Sequence, residues 1–318
     1  MAWRQMLPFS CSRRRNEVQG GFHFAMQRAL GSAACALRAA LGAVGAAGGG
    51  WALLAAARAA AEAAGVTTRA ARHKKLDAVD DDLGDEGPVP RHIAVIMDGN
   101  RRYGRREHGS PLSGHRAGGE RLRDFIDWCA ELGVEALTVF AFSTENWKRG
   151  PEEVSAMMGL FLEEVPRLGE HALRLNVRVR FLSSDAQPLS ADLRAAMQRL
   201  EERSASCSGM RLNVCVSYGG RGDIAGACRQ LAQEAVAGEV DPQQIDDRAV
   251  AQRLLTADIP DPDVLIRTSG ERRLSNFLMF QLAYAELFFL EKHWPEVTRE
   301  DLMAIVAGYR ARHRRFGK

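Results

Sequence analysis

The sequence predicts an α/β fold, a single domain with a six-stranded, mainly parallel sheet flanked by helices, over residues 89–318. Two observations carry that expectation: six short β-rich runs, and helical apolar spacing in the stretches between them. Strands that alternate with helices in chain order assemble into a parallel sheet with helices on its faces.

The runs, in order, are IAVIM (93–97), EALTVFAF (135–142), VRVRFL (177–182), RLNVCVS (211–217), DVLIR (263–267) and ELFFL (286–290). Each is short and rich in Val, Ile, Leu or Phe, the residues that suit a pleated buried surface. After the first run, Leu122, Phe125, Ile126, Cys129 and Leu132 recur at three and four, the repeat of one helix face. After the second, Val154, Met157, Met158, Phe161, Leu162 and Val165 do the same, and Pro151 followed by Glu152 and Glu153 marks the helix start.

In such sheets ligands collect beyond the carboxyl ends of the strands, so the residues just after each run are the informative ones. The first run delivers Asp98-Gly99-Asn100-Arg101-Arg102, and the second Ser143-Thr144-Glu145-Asn146-Trp147-Lys148-Arg149. The fourth gives Tyr218-Gly219-Gly220-Arg221, and the fifth Arg267 through Asn276, with Arg272, Arg273 and Ser275 inside it. Arginines converging on one crevice repel one another unless a polyanion lies between them. Asp98 and Glu286 then suit a magnesium ion, which takes carboxylates plus substrate phosphate oxygens. No G-x-x-x-x-G-K-[ST] or G-x-G-x-x-G is present, so phosphate is expected and ATP is not.

Composition narrows the class further. The chain of 318 residues is 46% hydrophobic and 26% charged, which is globular. Its net charge of +3 is uneven: residues 1–76 hold eleven basic residues against Glu17 and Glu62, +9, which leaves −6 for the remainder. An acidic body argues against a nucleic-acid binder. Six cysteines without a C-x-x-C pair read as reduced core residues.

Residues 1–88 differ in kind. Residues 39–57 run without a charge between Arg38 and Arg58, but are mostly Ala and Gly. An organelle transit peptide, a marginal membrane anchor and a disordered tail all fit. The expected location is accordingly a plastid or mitochondrion, or the endoplasmic reticulum membrane, and not the secreted space. The D-D-x-x-D at Asp81, Asp82 and Asp85 resembles the magnesium motif of the all-helical trans-prenyltransferases. With Gly84 inside it and Gly87, Pro88 and Pro90 after it, it reads instead as a solvated acidic linker.

HIAVIMDGNRRY with GHRAG, AFSTENWKR, NVCVSYGGRGDI and IRTSGERRLSNFLMFQLAYAELFF resemble, in order and spacing, the signature regions of the cis-prenyltransferases, the undecaprenyl and dehydrodolichyl diphosphate synthases. The NRRY form is closer to the eukaryotic dehydrodolichyl type. The resemblance implies condensation of isopentenyl diphosphate onto an allylic diphosphate, with farnesyl diphosphate the expected starter, to give a long-chain cis-polyprenyl diphosphate for dolichol or related lipid carriers. It also implies roles for matching residues. Asp98 would hold Mg2+ and Glu286 would complete the metal site; Gly99, Asn100, Arg101 and Arg102 would cradle the allylic diphosphate, with Tyr103 and His115 close by. Ser143, Glu145, Asn146, Trp147 and Arg149 would form a loop closing over substrate, with Asn100, Ser143 and Asn146 placed among the catalytic groups. Arg267, Arg273 and Ser275 would bind isopentenyl diphosphate. The proton acceptor stays open among Asp98, a substrate phosphate and an Asn-Ser-assisted path.

Departures from the family pattern matter too. Pro111 stands where the family has an arginine on the diphosphate, which raises Arg105, Arg106 and Arg116 as substitutes, and Ser217 stands where Asn is common. Arg315-Phe316-Gly317 matches an ending that completes the active site across a homodimer, so a homodimer is expected, with a subunit of a heteromeric complex as the alternative. Product release into membrane is expected from a product of this length.

Overall fold

The computed structural model describes residues 88–312, which lie within the unit Gly87–Lys318. The alanine-rich extension, the acidic triplet Asp81, Asp82 and Asp85, and Arg315-Phe316-Gly317 fall outside the described residues.

Six strands form one sheet: β1 (His92–Ile96), β2 (Ala136–Ser143), β3 (Arg178–Leu182), β4 (Arg211–Tyr218), β5 (Val264–Arg267) and β6 (Glu286–Phe289). Their spatial order is β3-β4-β2-β1-β5-β6, and every neighbouring pair is parallel. The sheet is thus wholly parallel, a degree firmer than the expectation. The helices are α1 (Asn100–His108), α2 (Pro111–Glu131), α3 (Pro151–Arg174), α4 (Ala191–Ser204), α5 (Gly220–Val236), α6 (Asp247–Ala251) and α7 (Arg299–Arg310). A parallel sheet needs cover on both faces, which is why β1 and β5 are buried along their whole length and read as unbroken apolar runs.

The predicted α2 face is buried, with Leu122, Phe125, Ile126 and Cys129 in the larger core cluster. Of the residues expected to face inward on α3, Met157 and Val165 join that cluster, Met158 and Phe161 pack against it half-buried, and Leu162 is exposed, while Leu160 and Leu168 are buried instead. A buried polar group sits at the amino end of β1. His92 Nδ1–H donates to the Pro260 carbonyl (2.7 Å), Nε2 accepts from the Thr138 hydroxyl (2.8 Å), and Asn213 also donates to Thr138. Burial lowers the His92 pKa to about 4, so the ring is neutral and both nitrogens are satisfied.

Two local features fix the opposite, carboxyl edge. Gly99 has φ +98°, and a Cβ there would lie 2.0 Å from Ser269 Oγ, so only glycine turns the chain from β1 into α1 this closely under the β5 loop. Gly114 and Gly118 let α2 press onto Asn100, where a Cβ would lie 1.9 Å from its carbonyl and 2.4 Å from its Oδ1 respectively. Pro111 is the first residue of α2, a position where proline's missing N–H costs nothing and its fixed φ suits the helix. The helix start accounts for the residue found there.

Candidate active site

Asp98 follows β1 at the carboxyl edge, and its carboxylate is held on both oxygens. Oδ1 accepts from the Gly99 amide (2.7 Å) and from Arg102 (3.4 Å), and Oδ2 from Arg267 (3.0 Å). The Asp98 carbonyl is fixed in turn by the Thr268 hydroxyl and the Trp294 amide. Beyond it, α1 starts without a side-chain cap and without an acidic residue in its first turn. Past the Gly99 amide, which Asp98 holds, the first-turn amides therefore lack a side-chain cap, an arrangement that favours an anion.

The crevice, about 1300 Å³, is lined by Arg101, Arg102, Arg105, Arg149, Arg267 and Arg273 against two carboxylates, Asp98 and Glu271, a formal +4. Its remaining polar lining includes Gly99, Asn100, His115, Ser143, Asn146 and Ser275. Most of the arginines are tied to carboxylates. Glu153 bridges Arg101 and Arg149, each at 3.0 Å, while Glu271 pairs with Arg102 at 3.6 Å and with Arg273. Arg267 is the buried one, with 4% of its side chain exposed, and it joins Asp98 to Ser275 Oγ (2.8 Å) and to the Arg273 carbonyl. It positions the β5 loop on Asp98 more than it offers a free guanidinium. That loop holds Ser269, Ser275, Asn276 and Leu278 at positive φ, a concentration of left-handed backbone typical of built sites.

Ser143 and Asn146 bond reciprocally, Asn146 amide to Ser143 Oγ (3.2 Å) and Ser143 amide to Asn146 Oδ1 (3.1 Å), closing a short turn at the end of β2. His115, half-buried, lines the crevice. Burial, then the Arg149 and Arg101 charges, lower its pKa to about 4, leaving it neutral. Its Nε2 and Asn100 Oδ1 are buried without a hydrogen-bond partner. Both residues also line a second cavity, about 710 Å³ and almost wholly apolar, between α2 and α3. Met97, Asn100, His115, Ala141 and Met157 line both spaces, so the polar crevice and the apolar cavity adjoin there.

A family model described as "Putative undecaprenyl diphosphate synthase" matches residues 96–317. The chain belongs to the cis-prenyltransferase family. This prenyltransferase is 48% identical over 229 residues to a ditrans,polycis-undecaprenyl-diphosphate synthase, (2E,6E)-farnesyl-diphosphate specific, of Xanthomonas axonopodis pv. citri, covering 72% of this chain and 89% of that protein. It is 42% identical over 234 residues to a tritrans,polycis-undecaprenyl-diphosphate synthase, geranylgeranyl-diphosphate specific, of Thermococcus kodakarensis (73% and 88% covered). Among solved structures it resembles lavandulyl diphosphate synthase from Lavandula x intermedia in complex with dimethylallyl diphosphate, with a TM-score of 0.70, 32% identity, and 72% of this chain and 99% of that one covered. These bacterial, archaeal and plant relatives do not single out the dehydrodolichyl type expected from Asn100-Arg101-Arg102-Tyr103.

Several residues marked from the sequence stand elsewhere in this prenyltransferase. Glu286 does not share the crevice with Asp98 within one chain. It opens β6 in register with Val264, while Arg267 pairs with Phe289, so Glu286 lies three residues, about 10 Å, back along the strands at the amino edge. There it pairs with Arg312. Tyr103 points to the outer side of α1, edge-on to His108 and under Arg106. Trp147 is a packed loop aromatic, edge-on to Phe142 at 5.0 Å, with its N–H on Ser217 Oγ (2.8 Å). Ser217 has φ +52°, a backbone state Asn adopts readily, which accounts for the Asn common at that position. Glu145 accepts from Asn276, joining the β2 and β5 loops beside the crevice.

Of the three substitutes for the arginine absent at Pro111, Arg106 engages Glu296 and Glu107, and Arg116 engages Glu163. Arg105 lines the crevice, and no carboxylate among the described residues pairs with it. Glu271 and Glu153 neutralise crevice arginines, a role the sequence pattern does not mark. Their signal was present as acidic residues among arginines, but which arginines they neutralise depends on loop placement.

Among the described residues no group of three His, Cys, Asp or Glu side chains is placed to hold a metal. Asp98 and Glu271, 31% and 29% exposed beside a cationic cradle, fit magnesium in its usual phosphate-bound mode, one or two carboxylates plus substrate oxygens.

Proposed function

We propose that this chain condenses isopentenyl diphosphate onto an allylic diphosphate, with farnesyl diphosphate as starter, to make a long-chain cis-polyprenyl diphosphate. The observation that carries this reading is the juxtaposition: a crevice of formal charge +4 adjoining an almost wholly apolar cavity, with Asn100 and His115 lining both. Such a shape suits a diphosphate head and a hydrocarbon tail on one molecule.

The allylic diphosphate would rest on the first turn of α1, with Arg101, Arg102 and Arg105 around it. Isopentenyl diphosphate would lie toward Arg273 and Ser275, on the loop that Arg267 ties to Asp98. The allylic C–O bond breaks with its electron pair leaving on pyrophosphate, the isopentenyl double bond supplies the new C–C bond, and a proton departs to leave a cis double bond. The arginines stabilise the departing charge, and they act strongly because the adjoining wall is apolar. Magnesium, when bound at Asp98 with the diphosphate, supplies further charge neutralisation. Ser143 and Asn146 hold the β2 loop in shape, and neutral His115 adds no charge that would compete with the allylic cation.

The dehydrodolichyl type, with dolichol or a related lipid carrier as the use of the product, is proposed from the NRRY form of Asn100-Arg101-Arg102-Tyr103, while undecaprenyl diphosphate is the product in the relatives' names. A homodimer is supported by the Arg315-Phe316-Gly317 ending and by an edge strand, β6, flanked by exposed Met279, Tyr284 and Leu287. A fluorescent fusion of residues 1–88 reports the compartment.

The test is full-length protein with Mg2+, farnesyl diphosphate and labelled isopentenyl diphosphate. Long polyprenyl diphosphates are expected. Free phosphate alone would mean a hydrolase, and activity only after a second chain is added would mean a subunit of a complex.

A further inference from the structure

The apolar cavity is interrupted at one place. Beside Leu122, Phe161, Val165 and Leu168, its wall includes Arg123 of α2 and Glu164 of α3. Arg123 donates to Glu164 Oε2 at 2.7 Å, with 22% and 17% of the two side chains exposed, and Arg167 donates to the other oxygen at 2.8 Å. A mostly buried ion pair loses much of its Coulomb gain to desolvation, and apolar packing would hold such a wall at least as well. Its presence facing hydrocarbon space calls for a reason beyond stability.

Position supplies one. From His115 and Met157 at the mouth, Arg123 is eight residues along α2 and Glu164 seven along α3, about 10 to 12 Å deep. An extended isoprene unit advances about 5 Å on ordinary bond lengths, so the third unit of a farnesyl chain reaches the pair. A chain longer than farnesyl has to run past the pair.

The seam between α2 and α3 is built to part along polar contacts. Arg116–Glu163 (3.0 Å), Arg123–Glu164 (2.7 Å) and Asp127–His171 (2.8 Å) cross it, and of these only Arg123–Glu164 faces the cavity. Independently, α3 contains Pro166 two residues past Glu164, which removes the helix bond to the Leu162 carbonyl and weakens the helix beside the pair.

We propose that Arg123 and Glu164 determine product length: the pair is the latch that a chain must open once it fills the cavity. This rests on the synthase reading above. With the latch intact, each condensation past that point works against the closed seam, and termination gains on elongation.

The test compares full-length wild type with the neutral double variant Arg123→Met/Glu164→Gln, using Mg2+, farnesyl diphosphate and labelled isopentenyl diphosphate, with product length read by mass spectrometry after dephosphorylation. The double variant is expected to shift the distribution to longer products, while Arg116→Ala, on the exposed bridge, leaves it unchanged. An unchanged or shorter distribution in the double variant overturns the proposal. If a thermal melt shows that variant unfolded, the charge swap Arg123→Glu/Glu164→Arg/Arg167→Glu replaces it, since it keeps both ion pairs of residue 164 and is expected to retain wild-type lengths where Glu164→Gln alone lengthens them. Identical products from those two variants also overturn it. Wild type that makes no polyprenyl product at all would sink the synthase reading instead, a separate failure.

Discussion

Arg105→Ala removes the crevice arginine that no described carboxylate neutralises. In the free protein its loss breaks no ion pair, so the effect falls on the ligand alone. A charge-assisted hydrogen bond contributes about 1.5 to 3 kcal/mol, and the low end applies because the side chain is exposed to solvent. About 1.4 kcal/mol is tenfold in an equilibrium constant, so affinity for the allylic diphosphate should fall about tenfold. The assay is a pair of KM measurements, varying farnesyl diphosphate and isopentenyl diphosphate in turn, backed by calorimetry with an unreactive farnesyl thiodiphosphate. The farnesyl KM is expected to rise with the isopentenyl KM unchanged, and Arg105→Lys to recover part of the loss. Arg106→Ala and Arg116→Ala, whose guanidinium groups engage Glu296 and Glu163, should leave both values near wild type. Equal changes for the two substrates, or the same effect from Arg106→Ala, would refute the assignment.

Arg273→Ala should raise the isopentenyl diphosphate KM by about tenfold or more through loss of a charge-assisted contact, and leave the farnesyl KM unaltered; an unchanged isopentenyl value excludes that role. Gly99→Ala places a Cβ within 2.0 Å of Ser269 Oγ at φ +98°, and the left-handed penalty alone is about 1 to 2 kcal/mol, so a lowered Tm and a several-fold loss of activity are expected. His92 and His115 titrate near 4 in the folded protein and near 6.5 when unfolded, so the unfolded chain binds more protons between those values. Stability should therefore fall as pH drops from about 6.5 toward 4, with a slope approaching about 2.7 kcal/mol per pH unit for two protons, measured by urea midpoints. His115→Asn should remove about half of that slope, and an unaltered slope would show that His115 is not the group titrating.

The strands were legible because a fully covered parallel sheet leaves unbroken apolar runs, and the α2 face because its spacing is helical; on α3 the same spacing marked Met157 and Val165 but also the exposed Leu162. Asp98 was legible as a carboxylate that no core would want at a strand end. Glu286 was not, since its side of the sheet depends on the β5–β6 register, and a strand sequence does not say at which end of its neighbour it begins. For Trp147 and Tyr103 a polar loop motif shows that an aromatic is placed, while its neighbours, Phe142 for one and His108 for the other, come only from packing. Arg267 and Arg105 look alike in sequence, yet one is nearly sealed against Asp98 and the other stands open. Pro111 reads as a defect in a binding motif until α2 is seen to begin there.

The central claim is that the cationic crevice and the apolar cavity are one site for one molecule. A crystal structure with farnesyl thiodiphosphate and Mg2+ tests it most directly. The diphosphate is expected on the first turn of α1 beside Arg102 and Arg105, with the farnesyl chain passing Asn100 and His115 toward Arg123 and Glu164 between α2 and α3. A chain lying outside that cavity, or a diphosphate bound away from Asp98, would contradict it.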